Sequence, residues 1–123
     1  MIRGTVNASR EAVVPLRMRG SGGSELDVEA TIDTGYNGFL TLPPDVVMAL
    51  NLTNPSEIEV VLGDGTVRHS NTYDAEIEWD GVWRAVLVTE VDTDPLLGTK
   101  LLAGHELFVE FVPGGVVDVT AIP

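Results

Sequence analysis

Between Leu26 and Ile32 every second residue is apolar (Leu26, Val28, Ala30, Ile32), with Asp27, Glu29 and Thr31 between them. A helix would scatter those residues around its axis, so only a β-strand gathers them on one buried face. The period recurs along the chain. Val14, Leu16 and Met18 alternate with Pro15 and Arg17, and Ile58, Val60 and Leu62 alternate with Glu57, Glu59 and Val61. Tyr73, Ala75, Ile77 and Trp79 alternate with Asp74, Glu76, Glu78 and Asp80, and Val82 to Val88 returns as a partner strand. Leu107, Val109 and Phe111 begin a further strand, and Val117, Val119 and Ala121 close the chain. Pro15 lacks an N–H and is expected at an edge or a bulge.

Turn residues punctuate the strands. Arg19 to Ser24 is glycine-rich, Gly63-Asp64-Gly65-Thr66 and Asp80-Gly81 read as hairpin tips, and Pro113-Gly114-Gly115 turns the chain again. Two short helices are expected. Pro43-Pro44-Asp45 opens the first, which carries Val46 to Leu50 and stops near Asn51. Thr99 is expected to cap the second, which would hold Leu101, Leu102 and Leu107. Many short strands with two short helices predict a mostly β chain, a small closed or rolled β-structure.

At 123 residues the chain reads as one domain, residues 1–123, able to bury its own core. Its hydrophobic fraction of 44% is too high for disorder and too evenly spread for a membrane span. Arg3, Arg10 and Glu11 interrupt the start before any signal-peptide run develops, so the expectation is a cytoplasmic protein without membrane contact. The absence of cysteine excludes disulfides, thiolate metal sites and cysteine nucleophiles. A net charge of −12 repels phosphate backbones and argues against a nucleic-acid partner.

The strand ending at Ile32 delivers Asp33 to the start of a loop, Asp33-Thr34-Gly35-Tyr36-Asn37-Gly38, before the chain turns apolar at Phe39, Leu40 and Leu42. A carboxylate between apolar segments is costly unless it has partners or a task. Gly35 and Gly38 are expected to supply positive φ or close backbone approach. By itself Asp33-Thr34-Gly35 is a weak signal, and its alternative reading is an Asx-type turn ending a strand. A second apolar-apolar-glycine element lies downstream at Leu96-Leu97-Gly98, after the Asp92-Thr93-Asp94-Pro95 loop.

Together these elements resemble the retropepsin-like (retroviral-type, clan AA) aspartic peptidases, of the single-domain bacterial type, from about Val14 to Val112. The resemblance implies a closed β-barrel in which the loop of Asp33 is threaded by the strand ending at Leu97 and Gly98, with a short helix after it from Thr99 to Leu107. It implies that Asp33 is catalytic, that the Thr34 hydroxyl braces two such loops across a dimer, and that Gly35 permits close approach beside the carboxylates. The hairpin Gly63, Asp64, Gly65 and Thr66 falls where the family carries a mobile flap over substrate; an ordinary surface hairpin fits those residues as well. Met1 to Val6 and Val116 to Pro123 would form a dimer sheet or fray. The family usually has Ala or Ser where this chain has Tyr36, so that residue is expected to narrow the site, shift the loop or mark other substrates.

Peptide hydrolysis by carboxylates needs one ionised group to activate water and one protonated group to polarise the carbonyl. Two aspartates in contact share a proton in this way; aspartic peptidases are the standard example of that coupling. Asp64 and Asp80 sit at hairpin tips without apolar flanks, so one chain offers only Asp33. The expectation is a two-fold homodimer that cleaves a peptide or unfolded protein, with no cofactor and no metal. The alternative is an inactive module of the same fold that dimerises or binds peptide, with Tyr36 blocking the site. His69 and Ser70 are adjacent on a strand and point to opposite faces, and His105 stands apart from any ligand cluster.

Overall fold

The computed structural model describes residues 1–61 and 63–123. The alternating segments form ten strands: β1 (Ile2–Val6), β2 (Ala12–Arg19), β3 (Glu25–Ile32), β4 (Leu40–Leu42), β5 (Ser56–Val61), β6 (Val67–Trp79), β7 (Val82–Glu90), β8 (Leu96–Leu97), β9 (His105–Val109) and β10 (Val116–Ala121). Helix α1 (Pro44–Ala49) lies between β4 and β5, and α2 (Thr99–Leu102) between β8 and β9. The chain is therefore mostly β with two short helices. Leu62, expected to continue β5, lies outside the described residues.

One sheet holds the strands in the order β5-β6-β7-β4-β8-β3-β2-β1-β10-β9, and β6 pairs a second time, with β2. That second pairing joins Met18 to Ile77 and Arg19 to Glu76. Arg19 reinforces it: its guanidinium meets the Glu76 carboxylate at 3.0 Å and lies 4.0 Å from the Trp83 ring centroid. The apolar halves of the alternating strands face inward. Val14, Leu16 and Met18 of β2, Ala30 of β3, Ile77 of β6 and Val88 of β7 are all buried with Leu40, Leu42, Leu97 and Leu101.

Pro15 pairs with Glu29 of β3 in mid-strand, yet it stands at no edge of the sheet. On the other side of β2, the β1 ladder ends at Val13 and the β6 ladder starts at Met18. Pro15 occupies the gap, where a missing N–H costs no ladder bond. The Asp80-Gly81 tip has φ of 53° and 84°, both in the left-handed region that a two-residue type I′ hairpin requires. Helix α1 starts on Pro44 with Asp45 in its first turn, and Asn51, at φ 53°, ends the segment.

Three expectations need correction. Strand β6 begins at Val67 rather than near Tyr73, because its first residues pair with β5 from Ser56 to Val61. Helix α2 stops at Leu102, and Thr99 does not cap it: Gly98 holds the N-cap position without a side-chain bond. Leu107 is a strand residue opposite Val119, since Gly104, at φ 78°, redirects the chain and pairing with β10 satisfies the backbone instead. The strands at both chain ends are paired within the chain. β1 pairs with β2 on one side and β10 on the other, while β10 also pairs with β9. Among the described residues no helix is long and apolar enough to cross a membrane.

Candidate functional site

Asp33 follows β3 directly, and the segment after Pro95 runs between β3 and β4. β8 pairs parallel to β3, with Thr31 opposite Leu96 and Ile32 opposite Leu97, and antiparallel to β4 through Leu40 and Leu97. The loop from Asp33 to Phe39 wraps this segment. The Asp33 N–H donates to the Leu97 carbonyl at 2.9 Å, and the Gly98 N–H to the Phe39 carbonyl at 2.9 Å. The N–H groups of Thr99 and Lys100 donate to the carbonyls of Tyr36 and Gly38 at 2.8 and 3.1 Å. Buried Thr41 completes the clamp, its hydroxyl accepting from the Leu96 N–H at 3.0 Å. Thr41 was invisible in the sequence as a site residue, being one threonine of an ordinary short strand.

Glycine is required where backbones cross. A Cβ on Gly98 would overlap the carbonyl oxygens of Gly38 and Tyr36 and the Tyr36 ring. Gly38 abuts the Tyr36 ring and hydroxyl, so Tyr36 is folded over its own loop. Neither Gly35 nor Gly38 takes positive φ; both serve close approach. At Gly35 an added Cβ would lie 3.3 Å from Asp33 Oδ1, the same atom to which the Gly35 N–H donates at 2.9 Å.

Asp33 is half-buried and lines a cavity of about 350 Å³ with Thr34, Ile32, Leu107, Val109 and Phe111. The other carboxylate there, Glu11, is exposed and accepts from the Asn7 side-chain amide at 3.1 Å. Among the described residues the Thr34 hydroxyl makes no hydrogen bond. Tyr36 does not line this cavity. It belongs to a second, apolar pocket of about 380 Å³ on the other side of the loop, with Phe39, Ile58, Val60, Leu87 and Leu96.

The structure thus brings Asp33, Thr34 and Gly35 together and leaves the hairpin tip elsewhere. Gly63, Asp64, Gly65 and Thr66 line neither cavity; only the β5 strand leading to the tip reaches the apolar pocket. Asp64 accepts from the Thr66 N–H at 2.8 Å, and hydrogen bonding to Thr66 lowers its carboxyl pKa below 3.8. Gly65 supplies φ 84° at the tip. His69 pairs with Glu57 across the hairpin at 3.0 Å. His105 accepts from the Trp79 indole N–H at 3.3 Å.

The apolar pocket was missed in the sequence. Its signal was the unbroken apolar run Val86, Leu87, Val88, where Leu87 departs from the alternation and stands 43% exposed on the outer face of β7. No protein-family model matches this chain, and no curated protein matches it closely enough to show a family.

Proposed function

We propose that this chain is an aspartic endopeptidase of the retropepsin-like type that cleaves peptides or unfolded proteins. Its catalytic dyad consists of Asp33 from each of two identical chains. One observation carries the reading: Asp33 follows a strand that buries Val28 and Ala30, its carboxylate is held by the Gly35 N–H, and its loop is wrapped around Leu97 and Gly98. An incidental Asx turn needs no threaded segment beneath it. The finer architecture we infer is a small closed barrel, supported by the second pairing of β6 with β2, which returns the order β6-β7-β4-β8-β3-β2 on itself.

The dimer follows from chemistry, since a lone carboxylate cannot be acid and base at once. Its support is the apolar rim of the Asp33 cavity. Leu107 and Phe111 are 37% and 64% exposed, and β9 ends the sheet with one edge unpaired. A two-fold partner docked on that rim would bring its own Asp33 to the cavity. Because β1 and β10 are consumed within the chain, the end of the sheet at β9 is the surface available to it. On the other side of the loop, the pocket under β5 would receive a substrate side chain.

The test joins mass to activity. Sedimentation across a micromolar series is expected to show a dimer, which Phe111→Glu dissociates. Denatured casein is expected to be cleaved by the native chain and spared by Asp33→Asn, with a loss of at least about a thousandfold in rate and no change in the dimer. A hydroxyl-bearing analogue of the tetrahedral intermediate should inhibit. Undiminished cleavage by Asp33→Asn removes the mechanism. A monomer at every concentration leaves the inactive-module reading.

A further inference from the structure

The apolar pocket beside the Asp33 loop carries one charge, and its sign runs against the rest of the protein. Lys100 is the only lysine in a chain with 19 acids and 7 bases. Among the described residues it is the only charged one lining that pocket, whose other walls include Phe39, Ile58, Val60, Leu87 and Leu96. The Nζ lies 5.5 Å from the Phe39 ring centroid, and the Arg84 guanidinium lies 5.7 Å from the same ring. Arg3, Arg17 and Arg19 are neutralised by acids, but among the described residues neither Lys100 nor Arg84 makes an ion pair.

Position explains why Lys100 stays free. Its backbone N–H is fixed to the Gly38 carbonyl, so the side chain starts from the threaded segment at the pocket rim. The acids of β5 do not reach it, since Glu57 and Glu59 alternate with the pocket-facing Ile58 and Val60, and Glu57 is engaged by His69. An ammonium over an aromatic ring is held only weakly by the ring. A carboxylate arriving on an apolar stem would bury the stem against Phe39, Val60 and Leu96 and place its charge on Nζ, forming a charge-assisted bond.

From this arrangement we propose that Lys100 is a specificity-determining residue: the pocket selects a glutamate side chain of the substrate, with an apolar stem and a terminal carboxylate. The proposal rests on the peptidase reading for the word substrate, but the charge selectivity is a property of the pocket alone. A neutral or cationic side chain of equal length leaves the lysine uncompensated, so discrimination arises from charge rather than from size.

The experiment separates the two readings by using Asp33→Asn, which binds without cleaving. Amide chemical shifts of the full chain are followed by NMR during titration with hexanoate, hexanamide and hexylamine, which share a six-carbon stem and differ in the charge at its end. Hexanoate is expected to move the amides of Phe39, Val60, Leu96 and Lys100, and to bind about three- to tenfold more tightly than hexanamide, as an exposed charge-assisted contact allows. Hexylamine is expected to bind weakest of the three. Lys100→Gln should bring hexanoate down to the hexanamide level while leaving hexanamide unchanged, and added salt should narrow the same gap. Equal binding of hexanoate and hexanamide, shifts confined to another face, or no binding by any probe overturns the proposal. A chain that shows this selectivity yet never cleaves casein overturns the peptidase reading and leaves the pocket's preference standing.

Discussion

Replacing Gly98 with alanine tests the threaded geometry most directly. The new methyl would overlap the carbonyl oxygens of Gly38 and Tyr36, backbone atoms in the loop that carries Asp33, as well as the Tyr36 ring. Either the loop or the threaded segment must retreat. The bonds at risk are those from Gly98, Thr99 and Lys100 to Phe39, Tyr36 and Gly38. At about 0.5–1.5 kcal/mol each, with about 1–3 kcal/mol of overpacking strain, their loss comes to roughly 3–7 kcal/mol. A chain of 123 residues has a stability of about 6–18 kcal/mol at typical per-residue values, so the change removes a large share. At about 4 °C per kcal/mol, the midpoint of thermal unfolding should fall by more than 10 °C.

Gly38→Ala is the matched control, because its obstacle is the end of the Tyr36 side chain rather than backbone. A side chain can swing away, so the expected cost is about 1–2 kcal/mol. Combining it with Tyr36→Ala should recover the strain part of that cost, while in Gly98→Ala the same change should relieve only the ring's share and leave the clash with the backbone carbonyls. Urea unfolding followed by tryptophan fluorescence reads all of these variants. A Gly98→Ala protein within 1 kcal/mol of the native chain, or one fully rescued by Tyr36→Ala, would refute the claim that backbone crossing makes this glycine necessary.

Other consequences follow from single contacts. Thr41→Val keeps shape but leaves the half-buried Leu96 N–H without its partner, and should cost about 1–2 kcal/mol in the same urea assay. Leu97→Ala empties a fully buried position beneath the Asp33 loop and should cost about 2–5 kcal/mol, with the cleavage rate falling as the loop loosens. His105→Ala removes the acceptor of the buried Trp79 indole, so a loss of about 1–3 kcal/mol is expected, with a shifted Trp79 emission; an unchanged spectrum would contradict the contact. At the hairpin tip, Asp64 is held below 3.8 by Thr66, so its contribution is present above the ordinary carboxylate range and disappears as pH falls through the lowered value. Carboxyl NMR should show Asp64 titrating below the usual aspartate value, and Thr66→Ala should raise it.

Period-two alternation was enough to locate most strands, because a pleated backbone sends successive side chains to opposite faces whatever the partner strand is. Turn positions were equally legible: Asp80-Gly81 and Asn51 need left-handed backbone, which few residues accept. Asp33 and the Leu96-Leu97-Gly98 element were visible as motifs for the same local reason. What the chain order could not disclose was decided by long-range pairing. Leu107 looks as well suited to a helix as to a strand until Val119 is beside it. Pro15 looks like an edge residue until β1 and β6 stop short of it on the same side of β2. Met1 to Val6 looks free until β10 and β2 take both its edges. The pocket of Lys100 was the most hidden feature, since its walls come from five separated segments and no local pattern records a cavity. Local sterics fix where strands break, whereas burial and hydrogen bonding across the sheet decide which breaks come together.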